Sequence, residues 1–187
     1  DSGWATDSMR CTMASECWGH FRELYDQTTN YYDVVLDLPA CDVPIPKTTH
    51  IGGAILGLNL NGDTLMDIVV SDVDVGYMIA LPNGGATNIA HIDTAFLHFP
   101  NPSPMLMIVF PAGSYVDLDG DNVRDLVLAP HQRDNNNDYA AVWRYENQGT
   151  DDNPDFEIME TSFLQDRMLD LGTMTMPYAK DFNGDGL

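Results

Sequence analysis

Basic residues are scarce in this chain: eight Lys and Arg stand against 29 Asp and Glu over 187 residues, a formal net charge of −21. Such a surface repels nucleic-acid phosphates and anionic membranes alike, which excludes nucleic acid as a partner and leaves cations as the natural ones. Long apolar runs are missing too. The longest, "MLMIVFPAG" at 105–113, carries Pro111 and is far short of the ~20 residues a spanning helix needs, so no membrane span is expected. The opening "DSGWATDSMR" has neither a basic n-region nor an apolar h-region, so any export signal lies outside these residues or has been removed. Cysteine is limited to Cys11, Cys17 and Cys41 with no C-x-x-C, which argues against zinc and permits at most one internal disulfide with one thiol left over. A disulfide within this N-terminal segment, in an oxidising compartment, is favoured over ordinary buried thiols.

Familiar catalytic patterns are absent as well. There is no G-x-S-x-G, no H-E-x-x-H and no phosphate-binding glycine loop, and His20, His50, His91, His98 and His131 show no paired ligand spacing. Acid pairs such as Asp151 and Asp152, or Asp170 and Asp181, carry no information in a chain this acidic. Amphipathic helical periods are nearly lacking, and only "SECWGHFRELY" at 15–25 and "SFLQDRMLDL" at 162–171 offer short helices.

What is present reads as β structure. With 44% hydrophobic residues the chain can bury a real core. Residues 1–50 hold the cysteines and end in the proline-bearing linker "CDVPIPKTTH". From residue 51 onward, short runs such as "GAILGL", "DIVVSD", "YMIALP", "DLVLAP" and "YAAVWRYEN" are bounded by Gly, Pro, Asn or Asp, and "LPNGGA" is a strong turn signal. "RDNNND" at 133–138 reads as a polar loop between strands, and Trp143 and Tyr145, alternating with Arg144, as one core-facing side of a strand.

An internal repeat organises these strands. "NLNGDTLMDIVV" begins at residue 59, "DLDGDNVRDLVL" at 117 and "DFNGDGL" at 181, each preceded by an apolar run with small residues. A period near 60 with several short strands per period predicts an all-β fold of propeller-like blades in residues 51–187, two repeats and the start of a third, with the ring incomplete in this segment. On this reading the segment belongs to a longer chain. In the second copy Asp117, Asp119, Asp121 and Asp125 hold positions 1, 3, 5 and 9, with the Val123 carbonyl at position 7. Alternate residues of a tight turn can aim oxygens at one centre while Gly120 lets the backbone curl, and a hard cation wanting 6–8 oxygens, calcium, is the expected cofactor. The first copy supplies Asn59, Asn61, Asp63 and Asp67 with the Leu65 carbonyl, fewer charges and hence weaker binding. The third supplies Asp181, Asn183, Asp185 and the Leu187 carbonyl, and its position 9 is not in the sequence. None is an EF-hand, because position 12 is Val70 or Leu128 rather than Glu.

The pattern D-x-[DN]-G-D-x-x-x-D-[IL], followed by an apolar strand, resembles the FG-GAP/VCBS repeats of integrin-type propellers. The ordered set "DIVVSDVDVGYMIALPNGG", "FPAGSYVDLDGDNVRDLVLAP", "VWRYENQGTDDNPDFE" and "FLQDRMLDLG" is similar to VCBS-repeat surface proteins of Bacteroidetes. The resemblance implies a calcium-stabilised propeller on the outer-membrane surface of a Gram-negative bacterium or in its extracellular medium. It would be carried there by the type IX secretion system, whose translocon and shuttle would be transient partners. It also implies a non-catalytic role in adhesion to a glycan or protein ligand, the alternative being the scaffold of a polysaccharide-degrading enzyme with catalytic residues elsewhere. Asp7-Ser8-Met9, Asp63-Thr64-Leu65 and Asp93-Thr94-Ala95 resemble the short O-glycan acceptor pattern of such proteins. Two departures bear on calcium: Asn at two ligand positions of the first loop, and Thr64 or Asn122 where the family often has a second Gly.

Overall fold

The computed structural model describes residues 18–26, 28, 31–36, 53–106, 110–131, 140–167 and 184. Cys11, Cys17 and Cys41, the 133–138 loop, and the third-copy residues Asp181, Asn183, Asp185 and Leu187 lie outside the described residues. Within them are ten strands in three antiparallel sheets and no helix, an all-β architecture.

Strands β1 (Arg22–Asp26) and β2 (Tyr31–Val35) form a hairpin in which Arg22 pairs with Val35 and Asp26 with Tyr31. Over the described residues 18–25 this hairpin stands where a helix was expected over 15–25. Gly19 sits at φ +78°, a left-handed conformation that breaks a helix, and its carbonyl accepts the Ile92 N–H at 2.8 Å. The β-prone run "YYDVV" then gives 22–26 a strand partner, so pairing overrides local helix propensity.

The remaining strands make two four-stranded meanders in chain order. The first holds β3 (Gly53–Leu58), β4 (Asp67–Asp72), β5 (Met78–Leu81) and β6 (Phe96–Phe99). The second holds β7 (Pro111–Val116), β8 (Asp125–Pro130), β9 (Trp143–Asn147) and β10 (Phe156–Glu160). Their registers repeat. Gly53 pairs with Asp72 and Leu58 with Asp67; Pro111 pairs with Pro130 and Val116 with Asp125. The loops 59–66 and 117–124 therefore bridge equivalent first and second strands.

The two sheets pack face to face. Leu58, Val69, Met78, Ala80, Phe99 and Met105 meet Leu126, Leu128, Tyr145 and Phe156 in one core, with Phe156 edge-on to both Phe99 and Tyr115. Trp143 packs against this core and stacks on Tyr145. First strands β3 and β7 approach closely at Gly113, where an added Cβ would lie 3.0 Å from Leu56 Cδ2. The opposite face of the first sheet, with Ile68, Val70, Ile79 and Leu81, is covered by Tyr32 and Val34 of β2. Strand β4 is thus buried on both faces, and its centre, Ile68-Val69-Val70, is apolar on three successive residues instead of alternating with polar ones. Each fully buried aliphatic such as Val69 or Leu126 contributes roughly 1.5–3 kcal/mol. Two sheets do not close a ring among the described residues.

Of the helix expected over 162–171, the described residues 162–167 form none. Residues 161–167 make a single turn in which Gln165 and Asp166 both donate to the Ser162 carbonyl. The Gln165 Oε1 accepts the Ala141 and Val142 N–H groups. Those donors, just before β9, tie the turn back onto the chain; 168–171 lie outside the described residues.

Candidate metal centre

Both described loops are shaped by their own position-1, 3 and 5 side chains. Asn59 Oδ1 accepts the Gly62 N–H at 2.9 Å, and Asp117 Oδ1 accepts that of Gly120 at 2.7 Å. Asn61 accepts from Asp63 and Asp63 from Leu65; Asp119 accepts from Asp121 and Asp121 from Val123. These are Asx turns nested one inside the next, and they explain why only Asn and Asp occupy these positions. Positions 4 and 6 are left-handed: Gly62 and Gly120 at φ +78° and +85°, Thr64 and Asn122 at +70° and +71°. Gly184, the one described residue of the third copy, has φ +76° at the same position 4. The second glycine that the resemblance led us to expect at position 6 therefore has a conformational reason, and β-branched Thr64 is strained there.

The loops differ in what they leave unsatisfied. In the second, oxygens of Asp117, Asp119 and Asp121 all lie within 4.8 Å of one another, a group that could hold a metal ion. In the first, the Asn61 Nδ2 donates to Asp63 Oδ2 at 2.9 Å, so an amide dipole stands where the second loop has only carboxylates. Leu65 and Val123 are placed by their N–H bonds to the position-5 aspartates. A hollow of about 290 Å³ beside the first loop, lined by Trp18, Thr64, Met66, Asn88 and Ile89 among others, has no charged wall.

Position 9 shows the same contrast. Asp67 is fully buried, and both its oxygens are engaged: Oδ2 by the Leu60 N–H at 2.6 Å, Oδ1 by the Asn83 N–H at 2.7 Å. Burial raises its carboxyl above the usual range, and the two N–H bonds oppose that rise. Asp125 is 3% exposed, its Oδ1 accepts the Asn147 N–H at 3.1 Å, and its buried Oδ2 accepts no hydrogen bond among the described residues. The cation facing that oxygen is Arg144, whose Nη2 lies 4.0 Å from Asp125 Oδ2 and 4.0 Å from Asp119 Oδ2. Asp125 itself stands outside the three-carboxylate group.

Sequence reasoning missed two residues that build both sites. Asn83 lies just past the third strand of the first sheet and Asn147 is the last residue of the third strand of the second, and their side chains make matching bonds. Each Nδ2 donates to the carbonyl before the position-9 aspartate (Met66 or Arg124), and each Oδ1 accepts two N–H groups of the next turn. Gly85 and Gly149 complete the turns, where an added Cβ would lie 2.2 Å from the Ile89 oxygen and 2.4 Å from that of Asn153. The available signal was a recurring Asn-x-Gly at the ends of "YMIALPNGG" and "VWRYENQG". The second loop is braced further by Asp151, which accepts from the Arg124 N–H at 2.7 Å and its Nε at 2.8 Å, and from the Tyr115 hydroxyl. Burial works to raise the Asp151 carboxyl, but these donors outweigh it and hold it below the usual carboxylate range. Burial, reinforced by the Asp151 charge, pushes the Tyr115 hydroxyl up to about 12.

No protein-family model, no curated protein and no solved structure matches this chain. The site must be judged on its donor set. It offers hard, anionic oxygens on a loop held by its own backbone bonds, with a buried carboxylate oxygen left without a donor. That set suits a hard cation and no soft one.

Proposed function

We propose that this chain is a non-catalytic, calcium-binding repeat module of a secreted or cell-surface protein, its two sheets being blades of a propeller-type assembly that serves adhesion to a glycan or protein. The observation that carries the reading is the second loop: three converging carboxylates, with a buried Asp125 oxygen that no N–H of the described residues reaches. Calcium takes 6–8 oxygens in flexible geometry, whereas magnesium demands near-ideal octahedral geometry. The blade reading is supported by two meanders of equal strand order and register, with first strands β3 and β7 in contact. No helix among the described residues is long and apolar enough to cross a membrane. Export by the type IX translocon and its shuttle rests on the sequence resemblance alone.

The test is thermal unfolding of the full chain with calcium and then with excess chelator. At 100-fold over its dissociation constant one site adds ~2.7 kcal/mol. A chain of this length moves about 2–4 °C per kcal/mol, so a rise of roughly 5–10 °C is expected, with magnesium giving less. An unchanged melting temperature in millimolar calcium would overturn the calcium reading.

A further inference from the structure

We infer that Arg144 is the resident counter-cation of the second loop: it balances the loop's carboxylates before metal binds and thereby lowers the loop's affinity for the metal. The inference deepens the calcium reading and rests on it. Arg144 lies on β9 opposite Val127, with a side chain only 21% exposed. Its Nη2 stands 4.0 Å from oxygens on two different loop positions, Asp119 and Asp125. These separations satisfy charge without being hydrogen bonds, so neither oxygen is locked and both remain available to a metal. The buried Nε donates no hydrogen bond among the described residues, and the guanidinium also lies 5.9 Å from the Phe163 ring. A half-buried cation with an unsatisfied donor is costly unless nearby anions hold it there.

The first sheet shows what the position does when no such need exists. There the residue opposite Val69, the counterpart of Val127, is Ala80. Its loop neutralises itself, with the Asn61 amide on Asp63 and the Leu60 N–H on Asp67. One fold thus solves the same electrostatic problem twice, with amides in the first copy and an arginine in the second. Coupling is reciprocal: whatever Arg144 contributes to the metal-free loop is set against binding of a second cation. A divalent ion about 6 Å from a guanidinium in a water-like dielectric loses about tenfold in affinity.

The experiment compares wild type, Arg144→Met and Arg144→Lys by calorimetric titration of the full chain with calcium chloride, and by melting in excess chelator at low salt. Arg144→Met should bind calcium about tenfold more tightly, melt below wild type in chelator, and recover when calcium saturates. Arg144→Lys, which keeps the charge, should restore most of the chelator-state stability and keep the affinity near wild type. Equal calcium affinity in wild type and Arg144→Met overturns the inference while leaving the calcium reading intact. If Arg144→Met binds calcium and wild type does not, the assignment of Arg144 stands and the wild-type calcium reading fails. If none binds, a salt-sensitive loss of stability in chelator for Arg144→Met alone still supports the counter-cation role. Coincident melting curves in that case overturn it.

Discussion

Replacing Asn147 by Ala tests whether the second loop is built as described. The side chain donates from Nδ2 to the Arg124 carbonyl at 3.1 Å, the Thr150 carbonyl at 3.2 Å and the Tyr115 hydroxyl at 3.2 Å. Its Oδ1 accepts from Gly149 at 3.0 Å and Asp155 at 2.9 Å. Truncation leaves two N–H groups and a carbonyl in a largely buried turn without partners, at about 1 kcal/mol each, for a loss of about 3 kcal/mol. Asn83→Ala likewise orphans the Gly85 and His91 N–H groups and the Met66 carbonyl and should cost a similar amount, about 3 kcal/mol. Asn147→Asp is no rescue, because it turns the donor facing three oxygens into a fourth oxygen. Urea unfolding followed by tryptophan fluorescence reads these losses as shifts in midpoint at constant slope. A loss under about 1 kcal/mol for Asn147→Ala would show that the clamp does not hold the turn.

Three further outcomes follow from the same geometry. Gly149→Ala should lower the melting temperature by several degrees, since its Cβ meets the Asn153 carbonyl oxygen and the Asp155 backbone nitrogen; tolerance in a thermal melt would contradict the packing. Thr64→Gly should stabilise by about 0.5–1 kcal/mol, because relief of a β-branched residue at φ +70° exceeds the entropy that glycine adds to the unfolded chain, and a urea midpoint that falls would refute it. Asp151→Asn should be less stable than wild type above about pH 5, with the gap narrowing below about pH 4. A carboxyl held low in the folded state contributes fully above its unfolded value and loses that contribution as pH falls through the folded one. Asp67, held high, responds in the opposite direction in both proteins and cancels from the difference, so a gap independent of pH would be contrary to this assignment.

Much of the loop architecture was legible because it is local. Asn or Asp at alternate positions with Gly at the fourth fixes a set of bonds spanning two or three residues, and these appear in both copies. The strands were legible for the same reason, as short β-prone runs cut off by turn residues. What escaped depends on distant partners. Asn83 and Asn147 reach the position-9 aspartates across 16 and 22 residues, and the unequal spacing hides the match until second and third strands lie side by side. Arg144 reads as one more residue in "VWRYEN" until strand pairing brings it to Asp119 and Asp125. The segment around residue 22 has helix-compatible composition, and only its pairing with "YYDVV" makes it a strand. The two faces of β4, both buried, likewise become visible only once the hairpin and the second sheet are in place.

The claim that organises this account, that the second loop is a calcium site and the first a self-neutralised copy of it, meets its most direct test in a calorimetric titration of the full chain with calcium chloride, repeated on Asp121→Ala and Asp63→Ala. One dominant saturable site is expected, removed by Asp121→Ala and retained by Asp63→Ala. Absence of saturable binding in wild type, or loss of the site through Asp63→Ala with Asp121→Ala unaffected, would contradict it.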